Sequence, residues 1–315
     1  MTLAAALATA AACAGDQPSG DAPRDPPGGG AAPSLAGVEL FPSDNAWNMP
    51  VDAAPVDPAS DLLIASIGRD THLHPDFGAN YGGGPFGIPY VVVSGGQVRV
   101  PVTFDYADES DAGPYPIPPD APVEGGAAST GDRHVIVVDR DARKLYELFD
   151  AHRAGAGWSA GSGATFDLAS NAQRPAGWTS ADAAGLPILP GLVRYDEVVE
   201  RGEIRHALRF TVSRTRRAYV SPARHFASSS TSASLPPMGM RVRLKQSFDI
   251  SGYPPSARVI LTALKRYGMI VADNGSNWYV SGAPDARWLD DELNALKAVI
   301  GGDFEVVQMG AVTTD

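Results

Sequence analysis

Residues 257–281 read ARVILTALKRYGMIVADNGSNWYVS, and this stretch decides the fold class. Val259, Ile260, Leu264 and Tyr267 recur at helical spacing, which predicts a helix over Ala257–Tyr267 with one apolar stripe. Met269–Ala272 and Trp278–Ser281 are short β-rich runs on either side of Asp273-Asn274-Gly275, a turn sequence, so a hairpin is expected next. Trp288, Leu293, Leu296 and Ile300 then stripe a second helix, and Phe304–Val307 returns as a strand. The C-terminal segment therefore reads helix, hairpin, helix, strand.

Upstream the pattern is mostly β. Arg133–Asp139 and Lys144–Phe149 (HVIVVD, a polar turn, KLYELF) form one expected hairpin. Ile88–Val93 and Gln97–Phe104, joined by Ser94-Gly95-Gly96, form another. Gly163–Leu168 and Glu203–Val212 are further strands, and Ala218–Val220 and Arg241–Lys245 continue a sheet. Short helical pieces are expected at Pro58–Ile67 and Leu192–Val199. Hairpins in the middle and helices gathered at the end argue for an α+β fold, with a mainly antiparallel β-sheet core and short helices.

The N-terminal residues are of a different kind. Leu3–Ala12 is an apolar run of small residues ending at Cys13, the only cysteine. It resembles the lipobox of bacterial lipoproteins, in which the cysteine is lipidated. Ala10 stands where Leu is usual, and no Arg or Lys precedes the run. The run is too short to span a bilayer. A lone thiol is a liability in an oxidising compartment, and lipidation would remove it. By the same resemblance, Ala14 in place of Asp favours the outer membrane. Residues 16–36 are Pro, Gly, Ala, Ser and Asp with few large apolar groups, the composition of a flexible tether. The expected division is a signal peptide with lipobox over 1–13, a tether over 14–36, and one globular domain over 37–315, a size sufficient for a single large core.

Charge is distributed unevenly about a net −11. Residues 1–130 hold sixteen acids against Arg24, Arg69 and Arg99, whereas residues 201–245 hold ten bases against Glu203 alone. Two readings are open: the basic segment pairs with acids inside the fold, or it lines a positive cleft for an anionic ligand.

No sequence motif of a known chemistry is present. Ala160-Gly161-Ser162-Gly163-Ala164 lacks the first Gly of a serine-hydrolase elbow, and no P-loop, dinucleotide fingerprint or HExxH occurs. His72 and His74 form an H-x-H pair that could meet one metal on a strand, or be two solvated histidines. Asp105, Asp108 and Asp111, with Glu109, crowd one loop and could wrap Ca²⁺, or simply be solvated. His134, His206 and His225 each follow an Arg. Elimination from a uronic acid polymer needs a cation for the carboxylate and a base for the neighbouring proton. His206, His225 and Tyr219 are the candidate bases, and Arg217 and Arg224 the candidate substrate cations. Hydrolysis of a neutral glycan needs two carboxylates instead. Asp167, Asp182 and the Asp196–Glu197 pair are the candidate carboxylates there, with Asp182 taken as the catalytic candidate and Trp178 nearby as a sugar platform; spacing alone does not select a pair.

The stretches GDRHVIVVD (131–139), GSGATFDLASNAQRPAGWTSADAAGLPILPGLVRYDEV (161–198) and LKRYGMIVADNGSNWYVSG (264–282) resemble a group of exported bacterial proteins. The resemblance implies export and a single domain, and carries no activity or cofactor with it. The expectation is an extracytoplasmic enzyme, hydrolase or lyase, acting on a polysaccharide. The alternative is a surface lipoprotein that binds glycan or another envelope component without turnover. Nucleic acid is not an expected partner, and a membrane is expected only through the lipid anchor.

Overall fold

The computed structural model describes residues 34, 35 and 37–314. Cys13, the leader and nearly all of the tether lie outside the described residues. Leu35, assigned to the tether from sequence, is 4% exposed and packs in the main core. Among the described residues no helix is long and apolar enough to cross a membrane.

The α-helices among the described residues are α1 (Ser60–Ile67), α2 (Pro255–Arg266) and α3 (Asp290–Asn294). Ten strands, in chain order, carry the two main sheets. They are β1 (His74–Asp76), β2 (Tyr90–Val93), β3 (Val135–Asp139), β4 (Lys144–Phe149), β5 (Ser162–Asp167), β6 (Leu208–Val212), β7 (Arg241–Leu244), β8 (Met269–Asn274), β9 (Tyr279–Ser281) and β10 (Phe304–Val306). The fold is α+β, as the sequence pattern implies. The larger sheet has six strands in the order β1-β9-β6-β8-β7-β10. It is mixed, not purely antiparallel: β1 runs parallel to β9 and β6 parallel to β8. The second sheet has four strands in the order β5-β4-β3-β2, and β2 joins β3 in parallel.

Helix α2 forms where its apolar stripe predicts. Ala257, Ile260, Leu261 and Leu264 are buried, and Lys265 near its end donates to the carbonyls of Gln246 and Phe248. Gly268 follows with φ +67, and a Cβ there would lie 2.2 Å from the Val242 carbonyl oxygen. Only glycine fits that turn. The β3–β4 hairpin also forms as read, with Val137 opposite Tyr146. Its near-continuous apolar sequence has a physical cause: the sheet is covered on both faces. Ile136, Val138 and Leu145 face the large core, while Val135, Val137, Tyr146 and Leu148 face a smaller one with Tyr115, Ile117 and Trp158.

Two expected hairpins come apart. Val102–Phe104 pairs in parallel with Gly157–Ala160 in a separate three-stranded sheet, and β2 pairs with β3 instead. The intervening segment holds Val98, 73% exposed, and Pro101, which has no N–H to give a ladder. At the C-terminal end β8 and β9 do not pair with each other, because β6 lies between them. The connection from Asn274 to Trp278 straddles the end of β6: Gly275 N–H donates to Val212 O, Trp278 N–H to Thr211 O, and Thr211 Oγ1 to Ser276 O. Trp278 closes the turn at φ +63 and stacks on Phe210 and Phe304.

Candidate functional site

Strand alternation gives the six-stranded sheet one apolar and one polar face. Leu208, Phe210 and Val212 of β6 lie in the core. Phe210 pairs with Val280, so Arg209 and Thr211 stand on the opposite face beside Ser281 and Tyr279. Asp76 is in register with Ser281 and His74 with Tyr279, and Thr211 pairs with Asp273 across a bulge. A polar row thus crosses four strands: Asp76, Ser281, Arg209, Asp273.

Arg209 is the hub. Its Nε and Nη2 donate to the two oxygens of Asp182 at 2.7 and 2.6 Å, and its Nη1 donates to Ser281 Oγ at 2.5 Å. Asp273 Oδ2 lies 3.6 Å from Nη2. Asp182 has no exposed surface, and its segment is pinned from both sides. Ser180 Oγ binds the Asp182 amide, and Ala184 N–H donates to Ala272 O of β8.

The second sheet supplies His134, just before β3. Its Nδ1 lies 2.6 Å from Glu124 Oε2 and its Nε2 lies 3.1 Å from Ala181 O. Both partners can only accept, so both ring nitrogens carry protons and His134 is an imidazolium. Burial alone would lower its pKa, but the Glu124 carboxylate outweighs it and raises it to about 9. The same contact holds Glu124 below the ordinary carboxylate range against the opposing pull of burial.

The rim behaves in the opposite way. Burial, then the charge of Asp182, pushes Asp273 up to about 8. Asp76 is also raised, by its surroundings first and then by Glu124 and Asp132. Asp76 is exposed and Asp273 is 23% exposed at its side chain. Asp76, Glu124, Asp132 and Asp273 therefore form an acidic cluster whose members act on one another or on Arg209, Asp182 and His134. At one end the His74 ring stacks on Tyr279, with centroids 4.1 Å apart. Burial, then Lys297, keeps His74 below its ordinary pKa, so it adds no cation.

Of the residues singled out from sequence, Asp182 belongs to this cluster, through its ion pair with Arg209. His206 lies elsewhere, bonded to Glu197 Oε2 at 3.0 Å and to Ala207 O beside the π-helical turn Asp196–Arg201. His225 bonds to Ala183 O and stacks on Phe226. Tyr219, 5% exposed, also stacks on Phe226, and Arg217 lies over the same ring. Arg224 donates to Arg174 O and Gln173, and Trp178 packs under Arg174. His206 and His225 thus share no partner. Asp105 and Asp108 are exposed, whereas Asp111 is drawn away to Arg174 and the Thr165 amide. Among the described residues no group of three or more His, Cys, Asp or Glu is placed to hold a metal, so the acidic loop does not converge as a Ca²⁺ site. His72 bonds to Lys297 O and does not join His74.

The basic segment is largely consumed within the fold. Arg209 binds Asp182, Arg243 binds Glu305, Arg205 binds Glu203, and Arg241 binds the carbonyls of Ala46, Met49 and Tyr267. The cluster that results is acidic. Sequence reasoning missed Asp76, Glu124, Asp132, Asp273 and Arg209. The one available signal was an Arg flanked by Leu208 and Phe210, which places a cation on the far face of a core strand. No protein-family model, no curated protein and no solved structure matches this chain.

Proposed function

We propose that this chain is an extracytoplasmic glycoside hydrolase that cleaves a polysaccharide at the acidic cluster around Arg209. One observation carries the reading: two carboxyls that share the field of Arg209 are driven apart, Asp273 up to about 8 and Glu124 below its ordinary range. Glycoside hydrolysis needs that division, one carboxyl protonated and one ionised near neutral pH. In this reading Asp273 donates its proton to the leaving glycosidic oxygen. Glu124, kept ionised by His134, acts as base or nucleophile through Oε1, which receives no hydrogen bond among the described residues. Asp76 and Asp132 hold ring hydroxyls and stabilise the positive charge that develops at the anomeric carbon. Arg209 and Asp182 position Asp273. Elimination is less well supported, because it needs a free cation to hold a uronate, and Arg209 and His134 are already committed to Asp182 and Glu124. The extracytoplasmic setting rests on the lipobox-like run ending at Cys13.

The second reading is a glycan-binding lipoprotein without turnover. It is favoured by the complete internal bonding of Arg209, Asp182 and His134, which a purely structural network would also have. A panel of neutral and acidic polysaccharides, scored for new reducing ends and for ultraviolet absorbance, separates the readings. Hydrolysis predicts reducing ends without absorbance, lowered about 10²–10⁴-fold in Asp273→Asn. Absorbance would mean elimination. Binding with neither signal would leave the lipoprotein reading.

A further inference from the structure

A separate cavity of about 220 Å³ opens on the other side of the loop that carries Asp182. Gly185, Leu186 and Pro187 of that loop form one wall, and Phe41, Trp47 and Phe166 form the apolar lining. We propose that this cavity is a second binding site, for one ring of a neutral sugar. The choice of ligand rests on the glycan reading above; the position of the site does not.

The rim has the chemistry of hydroxyl recognition. Asn45 Nδ2 donates to Asn171 Oδ1 at 2.9 Å, and Asn171 Nδ2 donates to Asp44 Oδ1 at 2.8 Å. Across the mouth Arg224 Nη1 donates to Gln173 Oε1 at 3.2 Å. These are planar side chains from separate segments, each with further donor or acceptor capacity, and adjacent ring hydroxyls pair with such groups two at a time. The apolar lining matches the C–H face of a pyranose. At about 220 Å³ the cavity is smaller than the roughly 300–1,000 Å³ pockets of drug-sized ligands, which suits one ring rather than a chain.

The charges argue for a neutral ligand. Arg174, at the cavity wall, spends its guanidinium on Thr179 O, Glu109 O and Asp111. The remaining pair, Asp44 and Arg224, balances. The wall is also held in advance of any ligand. Phe41 sits at φ +68, a region bulky side chains seldom enter. The Asn48 amide secures that turn against the carbonyls of Leu40, Phe41 and Pro42 at 3.0, 3.3 and 2.9 Å. The shape of the wall is therefore set before a ligand arrives.

The test uses the full chain carrying Asp273→Asn, so that turnover does not consume the probe. Glucose, galactose, N-acetylglucosamine and their β-linked disaccharides are titrated by calorimetry and by saturation-transfer NMR. Saturable binding is expected, with Kd of about 1 mM or tighter. Ala172→Trp should weaken it at least tenfold, because Ala172 is exposed at the mouth and tryptophan there fills the space. The double substitution Asn171→Ala and Gln173→Ala should do the same without filling it. An unchanged melting temperature verifies that both variants fold. No saturable binding of any probe, or binding that Ala172→Trp leaves intact, overturns the proposal. Binding that obeys both variants in a protein with no hydrolytic activity would keep this site and remove the hydrolase reading.

Discussion

Asp182→Asn is the substitution that most directly probes the ion pair at the heart of the molecule. Asp182 has a fully buried side chain and that of Arg209 is 5% exposed, and the pair is joined by two bonds of 2.7 and 2.6 Å. Removing one partner of such a pair leaves an uncompensated charge in the interior, at a cost of about 3–5 kcal/mol. Asparagine keeps one acceptor for Arg209, which places the expected loss near the lower end, about 3 kcal/mol. For a domain of this size each kcal/mol is worth roughly 2–4 °C, so the melting temperature should fall by roughly 6–12 °C. Urea unfolding should show a lower midpoint with an unchanged slope. Adding Arg209→Gln removes the stranded charge and should recover part of the loss, a coupling that simple additivity does not give. The substitution has a second effect. Asp182 is the leading charge that raises Asp273, so its removal should move the alkaline limb of hydrolysis below about 8. A stability loss under about 1 kcal/mol, the size seen for solvated surface pairs, would refute the buried-pair reasoning. So would a double variant that is merely the sum of the singles.

Stability should fall between pH 6.5 and 9. Asp273 is raised from 3.8 to about 8, so its contribution is full below 3.8 and is lost as pH climbs to about 8, the last part of it above 6.5. His134 is raised from 6.5 to about 9, so its contribution is full below 6.5 and lost as pH rises through about 9. Both act with the same sign, and a urea midpoint that stays flat or rises over this range would contradict them. Glu147, with no exposed surface, accepts the amides of Ile188 and Leu189 at 2.9–3.0 Å. Glu147→Gln should cost about 1–3 kcal/mol and speed amide exchange at those two residues; unchanged exchange would show that the loop is held by other contacts. For the lipidation expectation, Cys13→Ala should abolish incorporation of a fatty-acid analogue when the gene is expressed from its native start, and retained label would exclude Cys13 as the acceptor.

Legibility followed the range of the interaction. Helix α2 was readable because a 3.6-residue period reports burial on one face directly, and Ile260 and Leu264 are buried as that period requires. The β3–β4 hairpin was readable because its two runs are joined by a short polar turn and pair with each other. The Ile88–Phe104 hairpin was misread because a turn sequence says where the chain bends, not which strand it will join; β2 found its partner 46 positions away, Val91 beside Val137. The Arg-rich segment could be read as paired or as ligand-binding, and only the positions of Asp182 and Glu305 settled how those side chains are spent.

From the sequence alone come the α+β class, helices α1 and α2, the β3–β4 hairpin, and the contrast between an acidic first half and a basic segment. All of these are written in local spacing or in composition. Tertiary structure decided that β6 enters between β8 and β9, because Thr211 and Val212 pair with the turn that would otherwise close a hairpin. It also decided the site. Asp76, Glu124, Asp132 and Asp273 come from four separate stretches of chain, and none is distinguishable locally from a solvated surface acid. They become a cluster of unequal carboxyls only when the fold brings them near Arg209 and His134, because pKa shifts depend on burial and on distances in space, and sequence spacing encodes neither.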